Sequence, residues 1–223
     1  MTVILMLAMF AIFLTIDYLR KGKEETQTAE AAREAAATSP RLLPSIVAGF
    51  ELPANLSYHQ GHTWALQESP TLVRVGIDDF GARLVGKIDA ITLPKRGQWI
   101  RQGQKFATLT RDGQKTELVS PVEGEVTSVN EDMSKDVSML NADPYGRGWF
   151  VSVLSPDLPT SFRNLLNGSL ARKWMAEASG RLQMRIPALA GAVAQDGGVA
   201  VHDLTMHLPT TKWAEVTREF FLT

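Results

Sequence analysis

The residues of this sequence that are best suited to chemistry are four histidines and one pair of adjacent carboxylates. The histidines are His59, His62, His202 and His207. Imidazoles could gather round a metal ion, but no carboxylate-rich ligand spacing accompanies them, so we expect no metal site. We expect Asp78-Asp79 to cap a short helix rather than to act as a general acid and base. These residue types give no positive indication of catalysis.

The composition excludes several further classes of function. The chain has no cysteine, which rules out disulfides, thiolate metal ligation and a cysteine nucleophile. A net charge of -1 gives no electrostatic basis for binding nucleic acid. Gly76, Gly81 and Gly86 do not form a phosphate-binding loop, and no serine nucleophile elbow is present. The sequence therefore predicts a protein that is not an enzyme.

A β-hairpin is predicted within Phe106–Val126, whose sequence is FATLTRDGQKTELVSPVEGEV. Apolar and polar residues alternate on both sides of Asp112-Gly113, a dipeptide that suits the two positions of a type I′ turn that need φ > 0. Lys115 is the amine nearest to this predicted tip, and two residues along a strand place it about 6–7 Å away. The ordinary role of such a residue is that of a solvated hairpin lysine.

The elements around the hairpin alternate between short strands and turns from Leu52 to about Asp157. Alternating apolar residues predict strands at 73–77, 88–93 and 106–109, and the region 141–153 is expected to form a turn and a final strand. Many short strands with one small helix predict a compact sandwich or barrel, and 44% apolar residues suffice for its core. We therefore expect a mainly β fold with added helices.

Two helices are predicted after the strands. Apolar residues at every fourth position predict one long helix over 160–186, in which Gly168 is tolerated. A second helix is predicted over 211–222 because four apolar residues lie at helical spacing. They are Trp213, Val216, Phe220 and Phe221. These side chains are expected either to pack against the sandwich or to form a face for a partner or a membrane.

The N-terminal residues predict a single membrane span. Val3–Ile16 is an uncharged apolar run, and a helix over Thr2–Leu19 would be about 27 Å long, close to the thickness of a bilayer core. No basic residue precedes the run, whereas Arg20, Lys21 and Lys23 follow it. The positive-inside rule then predicts a single-pass protein of the inner, or cytoplasmic, membrane, with its C-terminal domain in the cytoplasm.

Five ordered motifs lie between Tyr58 and Pro156. They are HTW at His62–Trp64, VGIDDFGARLVGKI at Val75–Ile88, LPKRGQ at Leu93–Gln98, SPVEGEV at Ser120–Val126 and NADPYGRGWFVSV at Asn141–Val153. The series resembles the H protein of the glycine cleavage system, in which the first and last motifs read approximately HEW and NEDPYGxGWLVKI. The family-motif residues that we single out are His62, Trp64, Pro144, Tyr145 and Gly146.

The resemblance implies a barrel-sandwich hybrid of the lipoyl-domain kind, with a lipoate-bearing lysine on a hairpin tip. In the family that lysine lies in a sequence close to ESVKA, and the position that corresponds to it here is Gly113, which has no side chain to carry lipoate. The acidic residue of HEW, which the resemblance implies helps to hold the substrate's amine, is replaced by Thr63. We therefore expect no lipoate and no other cofactor, with Lys115 as the fallback attachment point.

The leading hypothesis is a membrane-anchored, non-lipoylated H-protein-like module that acts as a non-catalytic accessory or scaffold subunit of an integral membrane protein complex. The expected organisation is a transmembrane anchor at 1–19, a linker at 20–51, an H-protein-like barrel-sandwich hybrid at 52–157 and, at 158–223, a helical C-terminal extension that the family lacks. One alternative is a working lipoyl-type carrier, in glycine cleavage or a related pathway, modified on a lysine such as Lys115. A second is a sensor that binds a small ligand in the cleft vacated by the lipoyl arm.

Overall fold

The computed structural model describes residues 42–186, 203–206 and 208–223. Leu42–Thr223 forms one compact unit. The predicted anchor at 1–19 and the predicted linker up to residue 41 lie outside the described residues, as do His202 and His207. Within the described ranges, no helix is both long enough and apolar enough to cross a bilayer.

The described residues form eleven β-strands, most of them short. They are β1 (Ile46–Val47), β2 (Phe50–Glu51), β3 (Ser57–Tyr58), β4 (Thr63–Gln67), β5 (Leu72–Ile77), β6 (Ala90–Thr92), β7 (Trp99–Ile100), β8 (Lys105–Arg111), β9 (Gln114–Val119), β10 (Gly124–Val129) and β11 (Trp149–Leu154). Six strands form one sheet in the order β3-β4-β5-β11-β10-β7, three form a second in the order β6-β8-β9, and β1 pairs with β2. All these pairings are antiparallel.

The same residues form six helices. They are α1 (Asp79–Val85), α2 (Glu131–Lys135), α3 (Met139–Ala142), α4 (Leu158–Arg163), α5 (Gly168–Arg185) and α6 (Thr210–Phe221). Asp78 caps α1 as predicted, because its carboxylate accepts the N–H of Gly81 at 2.7 Å. The mainly β fold with added helices is confirmed.

The hydrophobic core lies between the two larger sheets. Val153 of the six-stranded sheet and Leu109 of the three-stranded sheet are both fully buried in it. Phe106 on β8 and Phe150 on β11 meet across the core, with their ring centroids 6.4 Å apart. Since successive side chains of a strand point to opposite faces, each sheet presents one apolar face to the other. This is the sandwich that the strand pattern predicts.

Strands β8 and β9 form the predicted hairpin, with Arg111 opposite Gln114 at the last paired position. Asp112 and Gly113 have φ angles of 49° and 76°, the left-handed values that both central positions of a type I′ turn require. Glycine adopts this conformation without steric cost, and aspartate tolerates it better than most residues. The dipeptide therefore fixes the position of the tip and the register of the two strands.

The prediction of a single helix over 160–186 is wrong, since α4 and α5 are separate helices. Between them, Leu166 exchanges two backbone hydrogen bonds with Tyr58, at 2.7 and 2.8 Å, and so extends the edge of the sheet beside β3. Gly168 then starts α5 with a φ of 51°. A residue whose N–H and carbonyl both bond across a sheet cannot also bond within a helix, so the helix breaks at this position.

Helix α5 buries part of the stripe predicted from every fourth residue, which runs through Phe162, Leu166, Leu170, Trp174, Ala178 and Leu182. Leu170, expected in the apolar stripe, is 63% exposed. The buried positions are Ala171, Met175, Ala178 and Leu182, together with Ser179. Ala178 and Leu182 are buried as predicted, whereas Ala171 and Met175 share their helix face but lie outside the predicted stripe. The opposite face of α5 consequently presents Leu170 and Met184 to solvent.

Helix α6 packs its aromatic side chains into the core. Trp213, Phe220 and Phe221 are at most 2% exposed. The Trp213 indole N–H also donates to the carbonyl of Val85 in α1, at 3.1 Å. Of the two roles expected for these aromatic residues, packing against the sandwich is the one found.

We predict that Phe221→Ala lowers the free energy of unfolding by about 3–5 kcal/mol, because it opens a cavity where a fully buried ring packs. The adjacent Leu222→Ala is the matched control, since Leu222 is 54% exposed and should change stability by less than about 1 kcal/mol. Denaturant unfolding of both variants measures the difference. Equal stability of the two variants would show that α6 is not part of the folded core.

Candidate functional site at the hairpin tip

The tip of the β8–β9 hairpin is exposed and carries no amine. Asp112 and Gly113 are both exposed, and a Cβ placed on Gly113 would have no atom within 4 Å. Lys115, the nearest amine, is also exposed and lies opposite Thr110 on the neighbouring strand. The tip thus offers open space for an attached group but no side chain at Gly113 to which one could be joined.

Arg111 holds the base of the turn in place. Its Nη1 atom donates to the carbonyl of Val85 at 2.9 Å and to the hydroxyl of Thr205 at 3.1 Å. Its Nη2 atom lies 3.2 Å from a carboxylate oxygen of Asp203, and both side chains are largely buried. A guanidinium that binds three acceptors in this way fixes the direction in which the hairpin projects.

One partner of Arg111, Val85, belongs to the C-terminal end of α1, and the other two belong to the C-terminal segment, which also covers that helix end. The Leu204 N–H donates to the carbonyl of Arg83 at 3.0 Å, and the Thr205 hydroxyl donates to that of Leu84 at 3.0 Å. The last carbonyls of a helix have no partner within the helix. A cation is also favoured at this end of the helix dipole. Arg111 and residues 203–205 therefore supply both the hydrogen-bond donors and the positive charge that favour the C-terminal end of α1.

The HTW motif is buried in the core. His62 is fully buried, its Nδ1 atom is 2.9 Å from a carboxylate oxygen of Asp78, and its ring stacks on Phe80 at 4.2 Å. The Trp64 indole N–H donates to the carbonyls of Ile77 at 2.8 Å and Pro144 at 3.2 Å. These contacts tie the motif to α1 and to the PYG turn, and none of them reaches solvent.

Thr63, the middle residue of the motif, is also fully buried. Its hydroxyl donates to the carbonyl of Val119 on β9 at 2.9 Å. The end of α6 lies close by, because the Phe221 carbonyl would be 2.9 Å from a Cβ placed on Gly61, and the Val119 side chain would be 2.7 Å from it. The C-terminal helix thus packs against the face on which Thr63 lies.

The PYG residues of the last motif also form a buried joint. The Tyr145 hydroxyl donates to the carbonyl of Glu51 at 2.6 Å and accepts the N–H of Asp79 at 3.0 Å, and burial raises its pKa well above the ordinary value. Gly146 packs so closely on Asp143 that a Cβ would lie 2.3 Å from the carboxylate, which accepts the Gly146 N–H. This turn joins β2, α1 and β11.

A profile of the family described as glycine cleavage H-protein matches residues 56–178. The chain belongs to the glycine cleavage H-protein family. Proteins of this family are lipoyl carriers that do not themselves catalyse a reaction, although they work within an enzyme system. This is consistent with the expectation that the chain is not an enzyme. The H-protein-like fold of the sandwich is the fold expected of a member of this family.

Individual relatives align over the same part of the chain. The "Probable glycine cleavage system H protein 2" of Sulfurisphaera tokodaii is 33% identical over 134 residues, which cover 59% of this chain and 90% of the relative. The "Glycine cleavage system H protein" of Mycobacterium avium is 32% identical over 130 residues, with 57% and 98% covered. The crystal structure of a glycine cleavage system H protein from Mycobacterium marinum is 25% identical, with 57% and 98% covered and a TM-score of 0.49.

The family match extends further than the five motifs do. It includes all of α4 and the first part of α5, which the sequence analysis assigned to an extension that the family lacks. The part of this H-protein-family chain that follows the match contains the end of α5, residues 203–206 and α6, and it supplies the contacts to α1 and the hairpin described above.

Several contacts of this H-protein domain could not be seen in the sequence. His62 and Asp78 were singled out for separate reasons, and their spacing of 16 residues has no local meaning. The sequence analysis did not single out Arg111, although its place beside the tip was a usable signal.

In the described residues, no group of three or more histidine or acidic side chains is placed to hold a metal ion. His59 and His62 are brought together, but the other two histidines lie outside the described ranges.

We predict that Arg111→Met lowers the free energy of unfolding by about 1–3 kcal/mol, because it removes charge-assisted hydrogen bonds to largely buried acceptors. It should also speed hydrogen exchange of the amides in the turn. Lys105→Met on the same strand is the control, since its ion pair with Glu117 is exposed and worth at most about 1 kcal/mol. If both variants exchange alike, Arg111 does not fix the tip.

His59 gives a prediction about pH. Burial lowers the pKa of His59 below its ordinary value of 6.5, with His62 acting in the same direction, and its Nδ1 atom accepts the N–H of Gly61. Below pH 6.5 the unfolded chain therefore binds more protons than the folded chain. The free energy of unfolding attributable to His59 should be fully present above pH 6.5 and fall as the pH drops through the lowered pKa.

His59→Gln removes this titration while keeping a side-chain acceptor for the Gly61 N–H. The Tm of the variant should consequently depend less on pH than that of the wild type between about pH 7 and pH 5. Burial raises the pKa of Asp79, which acts in the opposite direction at lower pH, but that effect is common to both proteins. Parallel curves of Tm against pH for the two proteins would show that His59 contributes nothing to the pH dependence of stability.

Proposed function

We propose that this member of the H-protein family carries no lipoyl group and serves as a non-catalytic accessory or scaffold subunit of a membrane protein complex. A single N-terminal span would hold the domain on the cytoplasmic side of the membrane. The observation that carries the proposal is the residue at the hairpin tip. Gly113, the position that we assign to the lipoyl lysine, is exposed and unobstructed, yet it has no side chain. A carrier cannot be loaded at this position.

The surroundings of the tip support docking rather than carriage. A carrier arm needs a long, mobile side chain, whereas the residues of this turn are held by their neighbours. The Asp112 N–H donates to the Asp89 carboxylate at 2.6 Å, and Arg111 bonds to α1 and to residues 203–205. A rigid projection of defined direction is suited to recognition by a partner, because little conformational entropy is lost when it binds.

The burial of Thr63 argues against the second alternative, a ligand sensor. That function would need an open cleft beside the residue that replaces the family's acidic side chain. Thr63 has no exposed surface, its hydroxyl bonds to β9, and α6 ends beside Gly61. A ligand could enter only if α6 moved away from this face.

The carrier alternative rests on one specific observation, the exposure of Lys115. Its amine is free to react, but it stands two residues beyond the tip, about 6–7 Å along the strand. Arg218 of α6 donates to the Lys115 carbonyl at 3.4 Å, so the C-terminal helix lies against the backbone at this position. A modifying enzyme would have to recognise this lysine on the side of a strand, next to a helix.

We predict that the intact mass of the full chain, isolated from its native membrane, equals that of the plain sequence and that membrane proteins copurify in fixed proportion. Incubation with a lipoyl-protein ligase and lipoate supplies the control. Gly113→Lys should then gain one lipoyl group, at a cost of about 1–2 kcal/mol in stability for a side chain at positive φ. The wild type should gain none.

The outcomes separate the hypotheses. A lipoyl mass on the native protein that disappears in Lys115→Arg would establish the carrier function and overturn the proposal. An unmodified protein that purifies alone, without stoichiometric partners, would leave Gly113 explained but would remove the basis for a scaffold role. Modification of Gly113→Lys but not of the wild type would show that the missing amine, rather than the shape of the hairpin, prevents lipoylation.

A further inference from the structure

A groove of about 800 Å³ runs along the outer face of α5, and no contact described above uses it. We call it the α5 groove. The residues that matter for its chemistry are Leu170, Trp174, Gly180, Arg181, Met184 and Leu222. Three of these are apolar and unusually exposed: Leu170 at 63%, Met184 at 76% and Leu222 at 54%. Exposed apolar side chains gathered in one concavity are typical of a binding surface.

The groove follows the repeat of the helix itself. Leu170, Glu177 and Met184 are seven residues apart, and Trp174 and Arg181 lie between them on the same face. Such spacing presents one continuous row of side chains to anything that lies along α5. Gly180 lies in this row, and a Cβ placed on it would have no atom within 4 Å. The groove therefore has room at its centre for a side chain from outside.

Arg181 gives the groove its charge. Its guanidinium lies over the ring of Phe220, 5.3 Å from the centroid, and Phe220 is buried. Among the residues that the structure describes, no acceptor takes a hydrogen bond from this guanidinium. A guanidinium that lies over a ring and makes no hydrogen bond within the described residues has its N–H donors available for a carboxylate.

The neighbouring charges leave the balance positive. Lys173 and Glu177 lie 4.0 Å apart and are both well exposed, so their mutual attraction is weak. Of the charged side chains that line the groove, Lys173 and Glu177 offset one another, which leaves the single positive charge of Arg181. A partner of complementary charge would be acidic.

A lipid surface would fit this groove less well than a helix. Helices that lie on membranes separate their apolar and charged faces, whereas here Arg181 and Glu177 lie in the same row as Leu170 and Met184. A bilayer surface also cannot enter a concavity along one helix. An amphipathic helix can fill such a groove with side chains one turn apart.

We propose that the α5 groove is the docking site for an amphipathic helix of a partner protein. Apolar side chains of that helix enter beside Leu170, Gly180 and Met184, and a carboxylate on the same face pairs with Arg181. This inference rests on the scaffold function and deepens it, since it states where a partner binds and which chemistry the partner presents. It does not involve the hairpin tip.

The test uses the full chain in detergent and two fluorescent synthetic peptides, each as long as α5. Both peptides carry the same row of leucines, flanked by glutamates in one and by lysines in the other. Fluorescence anisotropy should show that the acidic peptide binds with a Kd at least about tenfold lower than that of the basic peptide. Arg181→Glu should reverse this preference, because it reverses the charge that meets the peptide.

Three further variants, one at Arg172 and two at Gly180, separate the groove from the rest of the molecule. Arg172→Glu makes the same charge change on the same helix, nine residues away and on the opposite face, and should alter neither Kd by more than about twofold. Gly180→Leu fills the groove and should abolish binding, whereas Gly180→Ala leaves it open. Both should keep or raise the Tm, because leucine and alanine favour helix more than glycine does.

Several results would overturn the proposal. They are equal binding of both peptides, loss of binding in Arg172→Glu as large as in Arg181→Glu, and unchanged binding in Gly180→Leu. Binding of phosphatidylglycerol vesicles by the α5 face in place of either peptide would assign it to lipid. Self-association that Gly180→Leu abolishes, without peptide binding, would assign it to a second copy. None of these results changes the intact mass or the copurifying proteins, so the scaffold function is tested separately.

Discussion

The structure depends on how the carbonyl groups at the C-terminal end of one short helix, α1, are hydrogen-bonded. Helix α1 leaves carbonyls that would be buried without partners, and these are bonded by side chains and backbone from distant parts of the chain. Arg111 comes from the hairpin, whereas Thr205 and Trp213 come from the C-terminal segment. Because all three converge on α1, the hairpin cannot change direction unless the C-terminal segment also moves.

These hydrogen bonds to the end of α1 couple the position of the hairpin tip to that of the C-terminal helix. In the H-protein family the functional group is carried by the hairpin, and in this chain the family match ends before α6 begins. The residues beyond the match lie against β9 and over the face that contains Thr63. The helix that follows the match thus packs against the hairpin and limits changes in its direction.

The sequence predicts the features of this fold that depend on neighbouring residues. The Asp112-Gly113 turn and the Asp78 cap follow from backbone preferences within four residues, and both are present. The break between α4 and α5 follows instead from a pairing of Leu166 with Tyr58, more than one hundred residues away, against which the local helical pattern carries little weight. The bonds of Arg111 to Asp203 cannot be inferred from the sequence for the same reason. The sequence therefore predicted the turn at the tip of the hairpin but not the contacts of Arg111 at its base.

The distribution of reactive groups gives the strongest argument about function. His62, Thr63 and Tyr145, the motif residues with chemistry to offer, are buried and bonded to neighbouring elements, so that they hold the sandwich together. The exposed features are a turn without a side chain at Gly113 and the α5 groove lined by apolar residues and Arg181. This distribution is the one that the binding role proposed above requires, because shape and charge are exposed while the polar motif residues stabilise the interior. The same motifs that identify the family therefore account for the stability of this domain without requiring the chemistry of a loaded carrier.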